Sequence, residues 1–359
     1  RAPSMPGKVA LLLVVLGFAA AHARATPSRK IYAAGSGLDM LSLPETVAEI
    51  MALSGKPNPR VLYLGTATYD KPEPQETQTS SFIQAGCSVS ALKVAVAAPS
   101  EEEMRSAFAT ADIVLVSGGN TLFARDRWTK LGIDAMMKDA MANGTVLCGG
   151  SAGGIVWFDG GHSDSMEVAS YKNPPGPFLN PAMTPEEMSA WAYIRVPGLS
   201  VVPGLFCPHY DVTESNRVLR SADFTSLLRR HSGECGIGVD NWGALLIDGD
   251  NFTVISREGK PGSVDAHGRF TPNNTLGRPG AWRLEIDPAS GELQRSLVPL
   301  SGGKVFELMK PARYIVPSNM LGVARAQNPD DGVPPTSDDE LRGTAFEGWV
   351  KRTANRFGN

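Results

Sequence analysis

From residue 30 onward, short apolar runs alternate with longer amphipathic stretches. The runs at 30–33, 60–64, 88–94, 113–117 and 145–148 read as strands, because each is brief, rich in β-branched or aliphatic residues and bounded by polar or turn residues. Between them, 43–53, 76–85, 100–109 and 121–143 read as helices, the last as one helix or two. The helix at 100–109 opens on Ser100 with Glu103 three residues later, a capping box in which each side chain serves the other residue's backbone N–H. Regular strand–helix alternation predicts an α/β fold: a mostly parallel sheet with helices on both faces.

Beyond residue 160 the pattern loosens. A strand at 201–206, a helix at 213–230 and a strand at 236–239 are followed by three runs, 244–248, 251–256 and 282–286, that read as antiparallel strands capping the sheet. The Pro-rich stretch 173–185 reads as a surface loop, and from 311 the chain is polar and irregular. Residues 26–310 are thus expected to form a single α/β domain, with 311–359 as a tail.

The N-terminal pattern differs. Lys8 precedes an uncharged apolar run from 9 to 21, which ends in the small-residue stretch Ala21-His22-Ala23-Arg24-Ala25. This is the order of a secretory signal peptide, and the run is short of the roughly 20 residues that span a bilayer. Met5 stands just ahead of it. Export to the secretory-pathway lumen or beyond is the expectation, with no membrane attachment after cleavage. Loss of Arg1, Lys8 and Arg24 would move the formal net charge from −3 to −6. Neither value gives the basic footprint of a nucleic-acid binder. In an oxidising compartment Cys87, Cys148, Cys207 and Cys235 allow three pairings, among which sequence does not choose. Three glycosylation sequons, at Asn143, Asn251 and Asn273, matter only in that setting. No CxxC or His/Cys cluster suggests zinc, and no cofactor is implied.

In parallel sheets, ligands bind beyond the carboxyl ends of the strands. Two glycine-rich turns fall there: Gly118-Gly119-Asn120-Thr121 and Gly149-Gly150-Ser151-Ala152-Gly153. The second fits G-x-S-x-G between an apolar strand and the stretch Ile155-Val156-Trp157-Phe158, the setting of a nucleophile elbow. Ser151 is therefore the candidate nucleophile. It needs a base, and His209, which follows a strand in Cys207-Pro208-His209-Tyr210-Asp211, is placed to serve. His231 reads as a helix C-terminal cation and His267 as a surface residue. His162 lies in a Gly160-Gly161 segment of uncertain direction. Ala152 and Gly119 are the candidate oxyanion donors, with Asn120 beside them at the substrate.

Taken in order, Gly118-Gly119-Asn120-Thr121, Gly150-Ser151-Ala152-Gly153, Trp157-Phe158 with Ser163-Asp164-Ser165, and Pro208-His209-Tyr210 resemble the dipeptidase E/cyanophycinase family of serine exopeptidases over roughly residues 30–246. The resemblance implies a class I glutaminase-like, flavodoxin-like α/β fold, a Ser–His–acid site, short peptide substrates and, as is common in that family, a homodimer. Dipeptidase E removes an N-terminal Asp from dipeptides; cyanophycinases cleave β-linked Asp-Arg units. The third triad member departs from the family pattern, because its acid position aligns with Asn241, one residue after Asp240. Asp240, a neutral Asn241 or Asp164 could each orient His209. Arg217, on the helix expected after His209, is a candidate for a substrate carboxylate.

The leading expectation is a serine exopeptidase of the dipeptidase E type. A catalytically weak secreted peptide-binding relative, favoured by Asn241, and a cyanophycinase-like β-aspartyl peptidase are the alternatives. An amidotransferase is a further one, although such enzymes carry Cys at the elbow, whereas here Cys148 lies three residues before Ser151. A metal-dependent hydrolase fits less well still.

Overall fold

The computed structural model describes residues 29–167, 190–231, 233–270, 278–287 and 289–310. The segment 1–25 expected to be a leader, the Pro-rich stretch 173–185, Asn273 and the segment 311–359 expected to be a tail lie outside the described residues.

The first five strands are β1 (Lys30–Ala34), β2 (Arg60–Leu64), β3 (Ser88–Ala91), β4 (Ile113–Val116) and β5 (Val146–Gly150). All run parallel, in the order β3-β2-β4-β5-β1. Past the charged first residues Lys30 of β1 and Arg60 of β2, the inner members are buried along their length because both faces are covered. Alternate side chains of β1 divide accordingly: Ile31 and Ala33 pack with Phe108, Trp128 and Met137 on one face, Tyr32 and Ala34 with Val47, Ile50 and Phe82 on the other. The helices supplying the second face are α1 (Pro44–Ser54) and α2 (Pro72–Gln84). Those supplying the first are α3 (Glu101–Thr110), α4 (Thr121–Leu131) and α5 (Ile133–Ala142). The predicted helical stretch 121–143 is thus two helices, split where Gly132 adopts a left-handed φ of 71°. The capping box on Ser100 forms as expected.

The expectation of one capped sheet is corrected. β10 (Gly243–Asp248) joins the edge of the first sheet antiparallel to β1, and β11 (Asn251–Ser256) follows it. The run near 282, as β12 (Ala281–Ile286), instead enters a second, six-stranded sheet with β6 (Phe158–Ser163), β7 (Ile194–Pro197), β8 (Val202–Cys207), β9 (Cys235–Val239) and β13 (Leu293–Leu297). The sequence reading missed β6 and β7, since β6 begins only three residues beyond the four-residue helix α6 (Ala152–Ile155) and carries two glycines.

The two sheets meet tightly. Gly35, just past β1, donates its N–H to Gly243 O at 2.9 Å, and a Cβ there would lie 2.0 Å from Asp240 O. Only glycine lets the segment after β9 lie against the end of β1. That contact brings the carboxyl ends of strands from both sheets to one place.

The predicted helix at 213–230 is shorter than its pattern: α7 spans Arg220–Arg230. Thr213 bridges to Leu219, Arg217 adopts a φ of 64°, and Asn216 Oδ1 accepts the Val218 N–H at 3.1 Å. A local side-chain bond of this kind competes with the helix for the backbone donor.

All four cysteines are buried and unpaired.

Candidate active site

Ser151 stands between β5 and α6 with φ 54° and ψ −120°, a conformation that costs a non-glycine residue on the order of 1–3 kcal/mol. Its N–H donates to Ala34 O at 3.2 Å, which fixes the turn against β1. His209 follows β8, again at positive φ (46°), and its N–H donates to the next carbonyl, Gly35 O, at 3.2 Å. Two successive carbonyls at the end of β1 thus carry the backbones of the serine and the histidine. Both residues are held in strained turns by the sheets. Among the described residues no hydrogen bond joins Ser151 Oγ to His209; such bonds are often long in unliganded sites.

Asn241 lies beyond β9, and its Oδ1 sits 2.5 Å from His209 Nδ1. Its backbone N–H donates to Asp211 Oδ1 at 2.7 Å, and its Nδ2 to Asp39 Oδ2 at 2.9 Å. Asp240, the neighbouring alternative, does not orient His209. It is fully buried, with Oδ2 accepting the Gly280 N–H at 2.7 Å. Burial, reinforced by the nearby Asp211 carboxylate, pushes its carboxyl well above the ordinary range. Burial raises Asp211 too, against the pull of the Asn241 N–H and of nearby His209. Asp164, the third alternative, pairs with Arg220 at 3.4 Å instead.

The turn after β4 reaches the serine: a Cβ on Gly118 would lie 3.4 Å from that of Ser151. Gly119 has φ 109°, and a Cβ there would lie 2.4 Å from Ala67 O. Neither Gly119 nor Ala152 gives its N–H to an acceptor among the described residues, which leaves both donors open to a substrate oxygen. Gly119→Ala is expected to cost about 2 kcal/mol or more, from the backbone conformation and the carbonyl clash together. Thermal unfolding checks it; an unchanged Tm would mean that the turn tolerates a side chain.

The structure places the two residues expected at the substrate as follows. Asn120 is fully buried as the N-cap of α4, where its Oδ1 accepts the Phe123 N–H at 2.9 Å and its Nδ2 donates to Tyr69 Oη at 3.1 Å. Its side chain is committed to the helix start. Arg217 is exposed in the turn ahead of α7, not on the helix. The buried arginine is Arg220, whose guanidinium meets Asp164, Glu214 and the His162 carbonyl.

His162 is also buried, with Nε2 2.7 Å from Asp223 Oδ1 and Nδ1 3.7 Å from Cys207 Sγ. Burial lowers it to about 4, so it is neutral at pH 7 and closed to solvent. Burial likewise pushes the Cys148 thiol up, and its Sγ points at Val114 O. A thiol so placed is no elbow nucleophile.

The sequence reading gave no role to Asp39, Asp211 or Arg220. A third glycine turn after a strand, Gly35-Ser36-Gly37-Leu38-Asp39, was the available signal for the first.

Ser151 after β5 and His209 after β8 bring a serine and an imidazole from two sheets to the carboxyl ends of parallel strands, a placement open to an α/β hydrolase. The chain belongs to peptidase family S51, whose model matches residues 31–255. A protein of Trypanosoma brucei brucei named G2/mitotic-specific cyclin-1 is 31% identical over 260 residues, covering 64% of this chain and 77% of that protein. The uncharacterized peptidase YgaJ of Bacillus subtilis strain 168 is 28% identical over 223 residues, covering 62% of this chain and 83% of YgaJ. Among solved structures, a peptidase from an acI-B1 Actinobacterium aligns with a TM-score of 0.47 at 14% identity, covering 76% of this chain and 95% of that one.

Proposed function

We propose that the protein is a serine exopeptidase of the dipeptidase E type, hydrolysing short peptides. The observation that carries this reading is the anchoring of Ser151 and His209 on the adjacent carbonyls of Ala34 and Gly35, with the imidazole held by Asn241. His209 Nε2 takes the Ser151 hydroxyl proton as Oγ bonds to the scissile carbonyl carbon. The oxyanion is received by the N–H groups of Gly119 and Ala152. Collapse of the tetrahedral species breaks the C–N bond, and His209 returns the proton to the leaving amine. Water, deprotonated by the same imidazole, then hydrolyses the acyl-enzyme and restores Ser151. No step calls on a metal or cofactor.

Amino-acid release from a dipeptide panel, Asp-X against neutral-X, tests the reading. Preferential release of Asp supports dipeptidase E-like specificity; cleavage confined to β-linked Asp-Arg units supports a cyanophycinase-like one. The neutral Asn241 favours a second reading, a peptide-binding relative of low activity, and binding without turnover across the panel would establish that instead. The segment 8–25 supports secretion of the enzyme, and N-terminal sequencing of the mature protein should begin at Thr26.

A further inference from the structure

We propose that Asp39 is a positioning residue for His209, acting through the Asn241 amide. The site is then a four-member chain, Ser151–His209–Asn241–Asp39, whose carboxylate stands one residue farther from the imidazole than in a Ser–His–Asp triad. The inference rests on the reading of Ser151 and His209 as nucleophile and base.

An ionised carboxylate only accepts hydrogen bonds, whereas an amide has one accepting and one donating end. Asp39 Oδ2, 2.9 Å from Asn241 Nδ2, therefore dictates which way the amide faces. With the NH2 turned to Asp39, Oδ1 must face His209 Nδ1 at 2.5 Å, and that contact is a hydrogen bond only if Nδ1 carries the proton. His209 is thereby held in the tautomer whose Nε2 is a free base. A neutral Asn alone could not do this, because its two ends are nearly the same shape and either could meet the ring.

Asp39 is itself fixed. It lies in the turn after β1, where Ser36 Oγ donates to Asp39 Oδ2 at 3.0 Å and accepts the Asp39 N–H at 3.0 Å. Asn241 is pinned at its other end by the Asp211 carboxylate on its backbone N–H. The amide thus has one accessible orientation, and the negative charge behind it polarises the bond to the imidazole. When His209 takes up the serine proton, that charge stabilises the imidazolium through the amide.

The exchange of the two groups provides the test. Asp39→Asn offers Asn241 a partner that can accept or donate, so the amide can turn over and the other tautomer becomes populated. A fall in kcat of roughly 10–100-fold with KM within about twofold is expected, by analogy with the loss of an outer partner behind a metal-bound imidazole. Adding Asn241→Asp to Asp39→Asn returns a carboxylate directly to His209, with an amide behind it, and should recover most of that loss. A residue that only braced the 36–39 turn would give no such rescue. The second readout needs no turnover: 15N chemical shifts of His209 should report the Nδ1–H tautomer in the wild type and a mixture in Asp39→Asn. Wild-type kcat and an unchanged tautomer in Asp39→Asn would overturn the relay. Failure of wild-type Ser151 to react with a fluorophosphonate would overturn the peptidase reading, leaving the tautomer measurement to decide the relay separately.

Discussion

Ser151→Ala should lower kcat by at least about 10⁴-fold, and toward 10⁶-fold if the serine and histidine act as one unit. The same variant should lose all fluorophosphonate labelling. What makes this loss attributable to chemistry is the local structure. Ser151 Oγ has no hydrogen-bond partner among the described residues, so its removal strands no other group. The residue is 8% exposed, and alanine keeps the Cβ that the turn already accommodates. Alanine also inherits the φ of 54° without adding to its cost. Tm is therefore expected to stay within about a degree or two of the wild type. Comparable peptide turnover by Ser151→Ala would place the nucleophile elsewhere and remove the basis of the mechanism. Residual activity some 10³-fold above the uncatalysed rate would not, because oxyanion donors and substrate binding act without the serine.

The largest stability effect is expected at Arg220, where Arg220→Met should cost roughly 3–5 kcal/mol. Its side chain is fully buried; Nη2 donates to His162 O at 3.0 Å, and Nη1 meets Asp164 and Glu214 carboxylates at 3.4 Å each. The guanidinium also lies 5.0 Å from the Tyr193 ring centre. Burial acts to discharge the arginine, but the surrounding carboxylates more than offset it, so the guanidinium is held charged. Methionine matches much of the volume and none of the charge, leaving two carboxylates and a buried carbonyl without their common donor. Asp164 and Glu214 are 18% and 25% exposed, so water recovers part of the loss and keeps the cost near the lower end of that range. For a chain of this size that is a fall in Tm on the order of 10 °C. Arg217→Ala, in the exposed turn three residues earlier, should change stability by no more than about 0.5 kcal/mol. A small shift for both variants would mean that the buried ion cluster does not hold α7 against β6.

The contrast between these two arginines shows where the sequence stops being legible. The 213–230 pattern is amphipathic throughout, and nothing local marks Arg220 as buried and Arg217 as exposed. That division follows from the Thr213–Leu219 bridge and the Asn216 side-chain bond, which hold back the helix start until Arg220. The partner of the His209 ring behaves the same way. Asp240 and Asn241 are neighbours in the chain, and the acid is the stronger chemical candidate of the two. Past the end of β9, however, Asp240 turns into the core toward Gly280 while Asn241 turns toward His209.

Sequence by itself determined the α/β class, the parallel strands and the sharp strand-to-helix turn at Ser151, because each is set by nearest neighbours: strand-length apolar runs, helix caps, and small residues where strand and helix must approach. Tertiary structure alone decided that the later strands divide between two sheets, that Asn241 and not Asp240 meets the imidazole, and that Asp39 stands behind it. Asn241 and Asp39 are 202 residues apart in the chain. Their meeting depends on Gly35 admitting the backbone of one sheet against the end of another, a packing event that no periodicity along the chain encodes.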